Sequence, residues 1–269
     1  MPLNYQLTTH LATDVGLVRS NNEDSLAEDR ELGLLVLADG MGGYQAGEVA
    51  SAMTTDRVIS SLRSAASRRI DTDVRNECRL LERAVQAAHA AVHQASAVNM
   101  DQSGMGTTVV ACWFRGNAAL IAHVGDSRAY RFRRGELAQL TQDHSLLEEL
   151  VARGHYSRTD AQKLVRRNIV TRAIGVDDEV RVDILQAPLE DGDLYLLCSD
   201  GLTDMVEDSD IRQLIDTYHG DPPKLASELI AAALSSGGKD NVSVALARVD
   251  FGEPGKAWTD VFRRWLPGS

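Results

Sequence analysis

Four times in this chain an aspartate stands at one end of a short apolar run. Residues 33–38 lead into Asp39, residues 118–124 into Gly125-Asp126, residues 194–198 into Ser199-Asp200, and Asp240 sits just before the run 242–249. The runs are bounded by Gly, Asp or Asn and several are rich in Val, which is the pattern of strands. They are too continuous to leave one face in water, so these strands need cover on both sides. A carboxylate at the end of a buried strand is costly unless it is paired or metal-bound. Asp-Gly alone often marks a turn, and that reading suffices for Asp191-Gly192, which lies between Glu190 and Asp193. It does not suffice for Asp39-Gly40 and Asp200-Gly201. Two such strand ends can place two carboxylates side by side, where they repel unless divalent cations relieve them.

The donors near these strand ends are hard oxygens. The stretch from Arg19 to Ser25 adds Glu23 and Asp24 beside an arginine, and no His or Cys lies within these motifs. Such a set selects Mg or Mn over Zn or Cu. The net charge of -11 disfavours nucleic acid or anionic membrane as a partner, since both attract basic patches. Three cysteines, Cys78, Cys112 and Cys198, are odd in number and far apart. They read as reduced thiols, in keeping with a cytoplasmic protein. The N-terminus shows no signal-peptide pattern, and no apolar run approaches the length of a membrane span.

Hairpins are expected at 107–124, turning at Arg115-Gly116-Asn117, and at 130–137, turning at Arg134-Gly135. Helices are expected over 46–65, 74–98 and 223–235, where apolar residues recur at helical spacing. Strands, two long helices, then more strands predict an antiparallel-rich α+β domain with helices packed outside two stacked sheets. Residues 144–170 read as a polar helical excursion with solvated His144 and His155, and with Arg158, Lys163, Arg166 and Arg167 adding positive charge. The tail after Asp250 carries Trp258, Phe262 and Trp265 at helical spacing and is expected to dock on the domain.

Taken in order, the motifs are more specific than any one of them. Arg19 to Asp24, Ala-Asp-Gly-Met-Gly-Gly from 38, Gly-Thr-Thr from 106, Val-Gly-Asp-Ser-Arg from 124, Asp-His-Ser from 143, Ser-Asp-Gly-Leu-Thr-Asp from 199 and Gly-Lys-Asp-Asn-Val-Ser from 238 make up the series. This series resembles the PP2C-type (PPM) metal-dependent serine/threonine protein phosphatases of bacterial type, across residues 8–250. The resemblance implies a central antiparallel β-sandwich flanked by helices over 1–250, a flap at about 144–170 and a tail at 251–269. It further implies hydrolysis of phosphoserine and phosphothreonine by a water or hydroxide bridging two Mn or Mg ions. By that resemblance Asp39 bridges the ions, the Gly40 carbonyl binds one, and Asp200 and Asp240 complete the pair. Glu23 and Asp24 hold metal-bound waters. Asp126 binds a third, weaker ion, shared with Asp200 and Asp204. Arg19 clamps the substrate phosphate, a task suited to its planar fork.

Animal members of the family carry a proton-donating His where this chain has Met41, so the resemblance leaves the general acid open. Phosphorylated proteins, a serine/threonine kinase and its substrates are the implied partners of a monomeric enzyme. Two other readings share the motifs: a catalytically silent regulator that binds phosphoproteins, and a metal-dependent phosphodiesterase.

Overall fold

The computed structural model describes residues 5–42, 46–67, 73–99, 102, 104–154, 156–157, 160 and 169–252. Strands β1 (Gln6–Asp14), β2 (Asp24–Asp29) and β3 (Leu34–Met41) precede two long helices, α1 (Ala46–Ser67) and α2 (Val74–Val98). Five strands follow: β4 (Gly106–Thr107), β5 (Val109–Arg115), β6 (Ala118–Val124), β7 (Arg128–Arg133) and β8 (Glu136–Gln139). The remainder runs α3 (Leu146–Ala152), β9 (Asp183–Pro188), β10 (Leu194–Cys198), the single turn α4 (Asp200–Thr203), α5 (Asp208–Tyr218), α6 (Pro222–Ser235) and β11 (Val242–Asp250).

These strands form two antiparallel sheets. One has the order β1-β11-β10-β7-β8 and the other β2-β3-β5-β6-β9, with β4 added to β3. The sheets stack, and the continuous apolar runs are explained by what covers each face. Along β3, Leu34 and Val36 enter a core shared with α1 and α2, while Leu35 and Leu37 enter the core between the sheets. Along β10, Leu194, Leu196 and Cys198 meet α5 and α6, while Tyr195 and Leu197 point inward. Side chains alternate across a strand, so a strand covered twice must be apolar at every position. Phe114 and Tyr195 meet edge to face across the sandwich, with ring centroids 5.3 Å apart.

Helix ends follow their sequence signals. Asp73 caps α2 by accepting from the Asn76 N–H, and Asp221 caps α6 by accepting from Lys224 N–H ahead of a proline in the first turn. Both expected hairpins form, as β5–β6 and β7–β8. The polar excursion begins with α3, and its base is closed by a bridge between Ser145 and Val170. His155, Arg158, Lys163, Arg166, Arg167 and the tail from 253 onward lie outside the described residues. Register brings one set of strand ends together. Leu37 pairs with Val110, Val109 with Val124, and Cys198 with Val244. The ends of β3, β6 and β10 and the start of β11 therefore open onto one rim of the sandwich.

Candidate active site

At that rim lies a cleft of about 620 Å³, lined by Arg19, Glu23, Asp39, Gly40, Met41, Asp126, Asp200 and Asp240, with Ile169 and Val170 on its lip. A second hollow shares Asp126 and Asp200 with it and is lined by Asp204. Every metal-binding or phosphate-binding candidate from the sequence thus reaches one of these two hollows except Asp24, which sits behind the cleft. Asp24 is the register partner of Asp39 in the β2–β3 ladder. Asp191 stands apart: its side chain accepts from the Phe251 N–H, as a turn residue does.

The backbone of Asp39 is held at three points. Its N–H donates to Thr108 Oγ1 at 3.0 Å. Its carbonyl accepts from the Thr107 hydroxyl at 2.7 Å and from the Thr108 N–H at 2.9 Å. The Thr108 hydroxyl in turn shares a 2.7 Å hydrogen bond with Ser127. Next in the chain, Gly40 donates its N–H to the Glu23 carbonyl at 3.1 Å. A Cβ at Gly40 would fall 2.2 Å from the Gly47 carbonyl oxygen, so only glycine lets the strand end meet the start of α1. Ser199 donates to Asp24 Oδ2 at 2.9 Å and accepts from the Ser243 N–H at 3.0 Å, tying β2, β10 and β11 together.

Asn241 organises the other wall. Its Oδ1 accepts from the Glu23 N–H at 2.8 Å, and its amide donates to the carbonyls of Val15 and Asn21. The loop carrying Arg19 is thereby fixed against the start of β11. Arg19 reaches into the cleft and donates to Asp240 Oδ2 at 2.6 Å.

Electrostatics marks the floor of the cleft as unstable without a cation. Burial, then the charges of Asp24, Asp200, Asp126 and Asp240, push the Asp39 carboxyl well above its ordinary range. Asp200 is raised in the same way, first by burial and then by Asp126, Asp204, Asp240 and Asp24. Burial lifts Asp24 and Asp126 to about 6 each. Among the described residues Asp24 Oδ1 is a buried acceptor with no hydrogen-bond partner.

These features fit a hard divalent cation: carboxylate donors only, mutual repulsion and an orphaned buried oxygen. Among the described residues, however, no three His, Cys, Asp or Glu side chains close around a single point in the manner of a metal cluster. Ions of the Mg type keep several waters and take one or two carboxylates, so an open ring of acids suits them better than a closed cage.

Three features were not legible beforehand. Thr108 reads in sequence as a strand residue, yet it holds the Asp39 N–H. Asn241 follows Asp240, but its partner Glu23 is 218 residues away. His144, expected in solvent, is buried at 8% exposure. Its ring nitrogens lie against the Gly125 N–H at 3.0 Å and Asp183 Oδ2 at 3.2 Å. The correction has a physical reason: His144 opens the segment and belongs to its base, where His123 of β6 and Asp183 of β9 lie against its ring. It does not line the cleft, so it is no proton donor there.

Comparison with known proteins gives a consistent result. The family model "Protein phosphatase 2C" matches residues 18–235. Serine/threonine phosphatase stp of Listeria monocytogenes is 36% identical over 247 residues, covering 91% of this chain and 96% of that protein. Serine/threonine protein phosphatase PstP of Mycobacterium tuberculosis is 39% identical over 246 residues, covering 90% of this chain and 45% of that protein. Among solved structures, the PstP catalytic domain in complex with two manganese ions superposes with a TM-score of 0.78 at 38% identity, covering 91% of this chain and 98% of that one. Stp1 from Staphylococcus aureus gives 0.82 at 34% identity, covering 93% and 98%.

Proposed function

The chain belongs to the protein phosphatase 2C family, and from that premise we infer how its cleft hydrolyses phosphoserine and phosphothreonine in proteins. It is a protein serine/threonine phosphatase. The observation that carries the site assignment is the gathering of Asp39, Asp126, Asp200 and Asp240 with Arg19 in one cleft. Asp39, Asp200, Asp240 and the Gly40 carbonyl would hold two manganese ions, with Mg as the alternative. Glu23 and Asp24 would hold waters of those ions. Asp126, Asp200 and Asp204 would hold a third, weaker ion. When bound, the ions supply Lewis acidity and a water acidic enough to attack phosphorus near neutral pH.

The chain's own residues do the rest. The Arg19 side chain is 52% exposed and, among the described residues, bonds to Asp240 alone. The remainder of its fork is free to take phosphate oxygens. Thr108 and Ser127 fix the end of β3, so Asp39 stands at the cleft on a rigid support. Ile169 and Val170 border the cleft at its lip. Among the described residues no His lines the cleft, and Met41 occupies its wall, which favours water over a side chain as the proton donor to the leaving oxygen.

Phosphorylated substrates of a serine/threonine kinase, and that kinase itself, are the partners of this monomeric enzyme. Its three free cysteines support a cytoplasmic setting. No helix among the described residues is long and apolar enough to cross a membrane. The test is hydrolysis of a phosphothreonine peptide with and without Mn, beside Asp39→Asn. Turnover no greater than that of the variant would overturn the reading. Faster turnover of bis-p-nitrophenyl phosphate than of the peptide would favour a diesterase.

A further inference from the structure

His144 touches neither the cleft nor, directly, any carboxylate in it, yet it is bonded on both sides of the site. It clamps Gly125 twice: its N–H donates to the Gly125 carbonyl at 2.7 Å, and its Nδ1 accepts from the Gly125 N–H at 3.0 Å. Gly125 has φ +111°, and a Cβ there would lie 2.6 Å from the Thr108 side chain. The turn is therefore pressed against Thr108, the residue that holds Asp39. Asp126 follows at once, buried and facing the cleft.

On its other side His144 anchors the lip. Its carbonyl accepts from Thr171 N–H at 2.8 Å, and Leu146 N–H donates to the Ile169 carbonyl at 2.9 Å. Nδ1 accepts from Gly125, and Nε2 lies between Asp183 Oδ2 at 3.2 Å and the Arg172 guanidinium at 2.9 Å. Arg172 holds the other oxygen of Asp183 at 2.9 Å. The His123 ring backs the imidazole, with centroids 4.5 Å apart. The ring is thus held in place by Gly125, Asp183, Arg172 and His123.

We propose that the His144 side chain is a positioning group: through its bond to the Gly125 N–H it sets the turn that carries Asp126 into the cleft, beside the lip that the backbone of the same segment holds. Partners that orient metal-binding groups typically change metal affinity by about 10–100-fold when lost. The peptide arm of the test rests on the phosphatase reading, while the metal arm does not.

Manganese binding to the metal-free full chain is measured by calorimetry, and KM and kcat on a phosphothreonine peptide at saturating Mn, for wild type, His144→Ala, His144→Asn and His144→Gln. Asn places Oδ1 where Nδ1 stands and accepts from Gly125. Gln reaches the Nε2 position and leaves Gly125 unmet. Weaker Mn binding by about tenfold and a raised KM are expected for Ala and Gln, with kcat changed less, and recovery of both for Asn. Should His144→Ala fail to fold, the contrast of Asn with Gln carries the same information. Wild-type Mn affinity and KM in folded His144→Gln, or Asn as impaired as Gln, would overturn the proposal. A wild-type chain inactive on the peptide would instead sink the phosphatase reading, and the Mn titrations would still decide the role of His144.

Discussion

Asp24 and Asp39 face each other as direct partners in the β2–β3 ladder. Like charges placed opposite across an antiparallel pair oppose folding. Here both are also desolvated, and Asp24 Oδ1 has no hydrogen-bond partner among the described residues. A pair that costs stability and serves no packing role is the mark of a site kept for its ligand.

The pH dependence of the chelated protein follows from this pair. Burial raises Asp24 from 3.8 to about 6 and raises Asp39 further in the same direction. The folded state then binds these protons more tightly than the unfolded state. For Asp24 this stabilising contribution is complete below 3.8 and is lost as pH climbs through about 6, and for Asp39 it is lost as pH climbs through that group's own raised value. Asp39→Asn relieves the repulsion. With EDTA near neutral pH, the variant is expected to gain about 1 kcal/mol, or about 2–4 °C in Tm, and to lose all turnover. Adding Mn should raise the Tm of wild type much more than that of the variant. Calorimetric scans with and without Mn check this, and a variant less stable than the chelated wild type would contradict it.

Thr108 tests the support beneath Asp39. Thr108→Val removes the acceptor of the Asp39 N–H and the partner of Ser127 while keeping shape. A buried donor left unmet costs about 1–3 kcal/mol. Denaturant unfolding should show that loss, with kcat falling alongside, whereas Thr108→Ser should retain most of both. Equal stability and activity for Val and Thr at this position would show that the hydroxyl is idle.

Asn241 tests the wall that carries Arg19. Asn241→Ala abandons three hydrogen bonds, to Glu23, Val15 and Asn21. At about 1 kcal/mol each the cost is about 2–4 kcal/mol. Asn241→Asp keeps the acceptor for Glu23 but aims oxygen at two carbonyls, so it should do no better. Urea unfolding reads the first effect. Steady-state kinetics reads the second, a KM that rises as the arginine loop loosens.

Much of this site was visible in the sequence because burial makes a strand-end carboxylate conspicuous. Asp39, Asp126, Asp200 and Asp240 each interrupt or border an apolar run, and the cores that cover β3 and β10 on both faces explain those runs. What stayed hidden depends on register and on distant partners. The opposition of Asp24 to Asp39 needs the β2–β3 pairing, which a shift of one residue would abolish. Ser199 reaches Asp24 across 175 residues, and no periodicity signals that. His144 misled for a related reason: the charged segment after it implies solvent, while its burial comes from β6 and β9.

Arg19 separates substrate binding from metal binding. Its guanidinium now spends one N–H on Asp240, and that hydrogen bond, more than any other influence, raises its own pKa. Arg19→Ala removes the proposed phosphate clamp and also removes a positive charge from beside a carboxylate assigned to the ions. The two consequences oppose each other. KM for a phosphothreonine peptide should rise about 10–100-fold, the loss expected of charge-assisted hydrogen bonds of about 1.5–3 kcal/mol. Manganese affinity, measured by calorimetry, should hold or increase, because a cation no longer competes with Arg19 for Asp240. Arg19→Lys keeps the charge and loses the fork, so its KM should stay well above that of wild type. Weaker Mn binding in Arg19→Ala would place the arginine among the groups that build the metal site, and an unchanged KM would remove it from the phosphate.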